Sequence, residues 1–275
     1  MDTVEEIITS PIDNVVSNDV GFEPPIIDLI HPEQDQDVIT ITESVPENSL
    51  SMYRFQIPQQ FIPMDTGIKI PYANYYAPIE WDNGYEKWDL VRFATPMDNN
   101  CLFHAITNSF YEPYHTGVRN GKRVDRNKIV TSLRQELSER LASKISDDPN
   151  SPTHYEIINN GNNSTFSDSV HEFKLSYMQN QLNSAVPIGY GYIEFIGNAL
   201  NKDIYILEAL RRDIYVTDEL PFTIKGNRKS IILYYMNGHY ELAGIKNKDG
   251  KFNTHFNPDH ELIRFLYDRV QQYIN

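Results

Sequence analysis

Cysteine is almost missing from this chain: one residue, Cys101, stands in 275. A lone thiol excludes a disulfide framework, and no Cys/His cluster has the spacing of a zinc site. Apolar runs of membrane-spanning length are missing too. The opening MDTVEEIITS has neither the basic region nor the apolar core of a secretory signal. These absences lead us to expect an intracellular protein of cytoplasm or nucleus, monomeric, with no membrane partner and no cofactor. The overlapping sequons at Asn162-Asn163-Ser164-Thr165 mean little in that setting.

Positive charge is missing from the first 50 residues, which hold twelve Asp or Glu and no Lys or Arg, so they supply −12 of the net −14. Prolines and aliphatics without a sustained period complete that stretch, which reads as a disordered acidic tail over 1–50. Residues 51–87 differ, with Tyr53, Phe55, Phe61, Tyr72, Tyr75, Tyr76, Trp81 and Tyr85 among prolines. So many rings are expected to pack as an irregular arm on a core. Arg119, Lys122, Arg123, Arg126 and Lys128 form the only basic concentration, in a Gly- and Asn-containing segment that reads as an exposed loop. An acidic chain with one such cluster is not a nucleic-acid binder; an acidic protein partner fits the cluster better.

What is present is a nucleophile's setting. In MDNNCLFHAI a turn-forming polar run passes into Leu102, Phe103, Ala105, Ile106 and Phe110, the recurring face of a helix that starts at or just after Cys101. Asp98 is placed to cap that helix. A thiol at a helix N-terminus meets the positive end of the dipole and free N–H groups, which favour the thiolate and can receive an oxyanion. Far downstream, SIILYYMNGHYELAGI carries His239 just past an Asn237-Gly238 hairpin signal. Glu241, two residues on, shares its side of the strand. Around these, Ile129, Val130, Leu133, Leu137 and Leu141 recur at helical spacing, as do Val170, Phe173, Tyr177, Met178 and Leu182. Strands are expected at 204–207, 213–216, 231–235 and 240–244. Asn257-Pro258 should open a last helix with Leu262, Ile263, Leu266 and Val270 inward.

Three blocks in order resemble the ovarian-tumour (OTU) family of cysteine proteases. Asp98, Asn100, Cys101, Leu102, Phe103, Ala105 and Ile106 match its nucleophile string; Gly191, Glu194, Ala199, Leu200 and Ile204 match its middle helix and strand; His239 and Tyr240 match its late His-Tyr string. The resemblance runs from Trp88 to Gly244 and implies an α+β fold, a small central β-sheet flanked by helices, as the catalytic domain 88–244, with 245–275 a C-terminal extension carrying a helix. It implies isopeptide hydrolysis after the C-terminal glycine of ubiquitin or a ubiquitin-like modifier. In that scheme Cys101 is the nucleophile, His239 the base, Glu241 or Asp98 the acid that orients the ring, and the Asn99, Asn100 and Cys101 amides the oxyanion loop. Gly189, Tyr190, Gly191 and Tyr240 would line the substrate channel.

The chain departs from the family pattern at three places. Asn99 replaces a glycine and is expected to take its left-handed backbone; Gly189 replaces an aromatic residue; Glu241 replaces an Asn or Asp. These departures also fit an alternative, a ubiquitin-binding adaptor that grips the modifier with little or no cutting. In the tail, Ile26-Ile27-Asp28-Leu29 followed by acids resembles a SUMO-interacting motif, which would add a strand to a partner's sheet edge.

Overall fold

The runs Ile204–Leu207 and Ile231–Tyr235 are unbroken by polar residues because the sheet they form is covered on both faces. The computed structural model describes residues 76–160, 174–188, 192–216 and 224–273, all within the compact unit Pro46–Asn275. Ile204, Ile206, Ile231 and Leu233 enter one core, while Tyr205, Leu207, Ile232 and Tyr234 enter a second on the opposite face. The two-residue period of a strand does this sorting.

In chain order the elements are β1 (Tyr76–Pro78), β2 (Leu90–Phe93), α1 (Cys101–Phe110), α2 (Glu112–Thr116), β3 (Val118–Arg119), β4 (Lys122–Arg123), α3 (Arg126–Leu141), α4 (His154–Asn160), α5 (Leu175–Asn183), α6 (Ile193–Leu200), β5 (Lys202–Glu208), β6 (Asp213–Ile214), β7 (Lys229–Met236), β8 (His239–Lys246), β9 (Phe252–Asn253), β10 (His255–Phe256) and α7 (Glu261–Gln272). The main sheet runs β1-β2-β8-β7-β5-β6, with β9 on β8 and β10 on β7. Only β5 and β7 pair in parallel. Buried faces of α1, α3, α5 and α6 cover the first side of this α+β fold, and α7 covers the second. No helix among the described residues is long and apolar enough to cross a membrane.

Several boundaries differ from expectation. Residues 245–275 do not form an appendage: β8 continues to Lys246, β9 and β10 join the sheet, and Leu262, Ile263, Leu266 and Val270 of α7 fill the second core with Phe256. Full burial of such side chains is worth about 1.5–3 kcal/mol each, enough to dock a short helix. That helix starts three residues later than Asn257-Pro258 suggests, because 257–260 closes a turn (His260 N to Asn257 O, 3.1 Å). Its N-cap is His260, whose Nδ1 accepts from Leu262 N. Of the arm 51–87, residues 76–87 are described: β1 edges the sheet, and Trp81 and Tyr85 enter the second core. The basic segment is a hairpin, β3 to β4, whose Asn120 and Gly121 at φ 51° and 76° make a primed two-residue turn, followed by the first turn of α3 with Arg126 and Lys128. Residues 1–50 with the Ile26, Ile27, Asp28 and Leu29 motif, the sequons, Val170, Phe173, Gly189, Tyr190 and Gly191 lie outside the described residues.

Candidate active site

His239 is fixed by the tightest element of the sheet. Asn237 and Gly238 adopt φ of 50° and 83°, the left-handed pair a two-residue hairpin needs, and Met236 pairs directly with His239 at the start of β8. Helix α1 packs on the same strand. Its far end is held by Thr254, whose Oγ1 donates to Ser109 O at 2.8 Å. Thr254 in turn abuts Gly244, near the far end of β8. The near end of α1, with Cys101 as its first residue, therefore lies toward the His239 end of β8, and half-buried Cys101 packs against the cluster that includes Tyr240. The thiol and the ring share no hydrogen bond among the described residues; such contacts commonly tighten when substrate binds.

Thr95 determines the state of the ring. Its hydroxyl donates to Tyr240 O at 2.6 Å, which uses its single hydrogen, and the same oxygen lies 3.3 Å from His239 Nε2. Toward the ring Thr95 can only accept, so Nε2 carries the proton and Nδ1 of the neutral imidazole is left as the basic lone pair. Among the described residues neither acid expected to orient the ring is hydrogen-bonded to it. Glu241, buried, accepts from Arg92 Nη1 at 2.7 Å across to β2. A guanidinium outcompetes a neutral imidazole for a carboxylate, and Arg92 also covers the Tyr234 ring.

Asp98 works on the loop. Its Oδ1 accepts from Asn100 N at 2.8 Å, an Asx turn one step before the helix, and its Oδ2 faces His104 Nε2 at 3.3 Å. The N-cap is consequently Asn100 rather than Asp98, and no side chain caps the helix. Burial pushes His104 below the ordinary histidine value, against the pull of Asp98. The neutral ring donates from Nε2 to Asp98 and accepts at Nδ1 from Tyr114 Oη at 2.7 Å.

The oxyanion loop also differs from expectation. Asn99 is not in the left-handed region, because the bend is made by the Asp98 turn instead. Its Nδ2 donates to Ala185 O at 2.9 Å. The Asn100 N–H is engaged by Asp98, and Cys101 N is 3.3 Å from Asp98 O. The next amides of the helix start, Leu102 and Phe103, make no hydrogen bond outside the helix among the described residues, as the first turn of a helix dictates. Tyr240 is buried and meets the Tyr235 ring at 5.0 Å, with Tyr215 beyond at 6.3 Å. Among the described residues no group of three or more His, Cys, Asp or Glu is arranged to hold a metal ion. Thr95, Arg92, His104 and Tyr114 are the site residues that sequence reasoning missed.

No family model and no curated protein sequence matches the chain. Among solved structures it is similar to an OTU domain in complex with ubiquitin, at 19% identity and a TM-score of 0.41, covering 71% of this chain and 90% of that one. It is also similar to the OTUD1 OTU domain, at 17% identity and a TM-score of 0.32, covering 56% of this chain and 85% of that one. Likeness at these TM-scores carries no chemistry with it, and the case for a reactive centre rests on Cys101, His239 and Thr95. Both of these structural neighbours are ovarian-tumour domains.

Proposed function

We propose that the chain is a cysteine-type deubiquitinase that hydrolyses the bond after the C-terminal glycine of ubiquitin or a ubiquitin-like modifier. The observation that carries the catalytic half is the proton inventory at Thr95, which leaves His239 Nδ1 as a base at the Cys101 end of α1. The modifier as substrate class rests on the three blocks of sequence that resemble the OTU family.

In the proposed cycle Nδ1 takes the Cys101 proton and the thiolate adds to the glycine carbonyl. Collapse of the tetrahedral intermediate breaks the C–N bond, and Nδ1–H protonates the departing lysine amine. Water, losing its proton to Nδ1, then attacks the thioester and returns the thiol. Thr95 accepts from Nε2–H throughout, and helix-start amides face the oxyanion.

The test is hydrolysis of ubiquitin bearing a C-terminal fluorogenic amide. Wild-type turnover with none in Cys101→Ala and a large loss in His239→Ala is expected; turnover retained in Cys101→Ala overturns the reading. The adaptor alternative is favoured by one observation, the capture of the Asn100 N–H by Asp98, and predicts tight binding of ubiquitin with no turnover by wild type.

A further inference from the structure

Arg134 is a charged residue in the middle of α3 whose side chain is almost fully buried, and the function above does not use it. Its Nη1 donates to Asn100 Oδ1 at 2.9 Å, the residue just before the nucleophile. Nε and Nη2 go to one neighbouring segment: Nε to Leu182 O at 3.0 Å, and Nη2, its two hydrogens shared among three carbonyls, to Gln181 O at 2.7 Å, to Val186 O at 3.1 Å and to Ser184 O. The guanidinium also lies over the Phe103 ring of α1, 4.6 Å from its centre. It makes no ion pair among the described residues.

A structural ion pair would need one carboxylate; Arg134 instead gathers the last turn of α5, the connection that follows it, and the nucleophile loop around one planar fork. A second tie, Asn99 Nδ2 to Ala185 O at 2.9 Å, joins the same loop to the same connection. Only a guanidinium has enough donors in a fixed plane for this; an ammonium would keep the charge but lose most of the geometry. The two ties hold Asn99 and Asn100, the two residues before Cys101, so displacement of either moves the thiol relative to His239.

We propose that Arg134 is a positioning residue for Cys101, clamping the nucleophile loop through Asn100 to the end of α5 and the residues 184–186 that follow it, so that loop and segment behave as one rigid wall of the reactive centre. The proposal rests on the reading of Cys101 and His239 as nucleophile and base, and deepens it by naming what holds them in register. The coupling is local and discrete: one side-chain amide on the loop, one guanidinium, and a set of backbone carbonyls.

The test needs no modifier. Cys101 is the only cysteine, so the rate of alkylation of the full-length protein by iodoacetamide, followed across neutral pH, reports on that thiol alone. Wild type is compared with His239→Ala, Asn100→Ala, Arg134→Lys, the Asn100→Ala/Arg134→Lys double variant, and Gln135→Ala, an exposed position on the same helix, with thermal melts confirming the fold. The expected result is a pH profile displaced toward that of His239→Ala and a rate about tenfold lower for both single clamp variants, in line with the sensitivity of reacting groups to small misplacements. The double variant should be no worse than either single one, because they break one unit, and Gln135→Ala should match wild type. Folded single variants with the wild-type profile, or effects that add in the double, overturn the clamp. If Arg134→Lys does not fold, Asn100→Ala, which leaves Arg134 its backbone acceptors, decides alone. A His239→Ala profile equal to wild type instead fails the underlying reading, and the clamp with it, whereas a shifted His239→Ala beside unshifted clamp variants fails the clamp only.

Discussion

Because Thr95 spends its one hydroxyl hydrogen on Tyr240 O, replacing it with valine removes the acceptor for His239 Nε2 while keeping shape and most of the burial. The ring is then free to take the other tautomer, and turnover on ubiquitin amide is expected to fall about 10- to 100-fold, a part of the 10²–10⁴ that a general base contributes. Thr95→Ser should recover most of it. Glu241→Gln is the matched comparison: the Glu241 carboxylate serves Arg92, so kcat should stay within a few-fold of wild type while the unfolding free energy measured in urea drops by roughly the 1.5–3 kcal/mol of a charged hydrogen bond. A crippled Glu241→Gln beside an unaffected Thr95→Val would return the orienting role to the acid. Cys101 and His239 were legible in the sequence because their neighbours are local: a helix start and an Asn-Gly hairpin. The neighbour of the His239 ring was not, since Glu241 is taken up by a cation from another strand, and Arg92 lies 149 positions from Glu241 along the chain.

At the scale of elements, β8 carries both His239 and the seat of α1, and the chain crosses it closely at Gly244. A Cβ there would stand 2.5 Å from Asn253 O and 3.0 Å from Thr254 Cγ2. Gly244→Ala should therefore push the β9–β10 crossing outward, cost about 1–3 kcal/mol of stability as overpacking does, and loosen the Thr254 anchor on Ser109. Unchanged urea unfolding would show that the crossing yields freely. The strands at 204–207, 231–235 and 240–244 and the faces of α3 and α7 could be read from periodicity, since each is a local pattern with buried consequences. Three things could not. The start of α7 was hidden because a turn displaced the Asn-Pro signal; the β3–β4 hairpin was hidden by its charged, non-alternating residues; and the integration of residues 245–275 depends on long-range pairing of β9 and β10, which leaves no mark on local sequence. Arg134 was invisible for the same reason, a cation whose acceptors are the Asn100 side chain and backbone carbonyls between Gln181 and Val186.

For the whole molecule, one buried pair ties stability to pH. Burial, with Lys229 nearby, pushes Lys202 down to about 7, and burial, with Lys202 and Lys229, pushes its neighbour His255 down to about 2. The Lys202 Nζ lies 2.8 Å from His255 Nε2 and over the Phe110 ring. Unfolded, these groups titrate near about 10.4 and 6.5. Between the folded and unfolded values the unfolded chain binds more protons, so stability is lost as pH falls from about 10 toward 7 through Lys202 and again below about 6.5 through His255. Lys202→Met should flatten the urea midpoint over the upper window; parallel curves for variant and wild type would contradict this origin. The central claim is that Cys101, activated by His239, receives the C-terminus of a ubiquitin-like modifier. It is tested most directly by incubating the full chain with ubiquitin whose C-terminal carboxylate is replaced by a thiol-reactive electrophile and reading the intact mass. The account predicts a covalent adduct one ubiquitin heavier, mapped to Cys101, absent in Cys101→Ala and slowed in His239→Ala, while a folded wild-type chain that forms no adduct, or forms it equally well without His239, would contradict it.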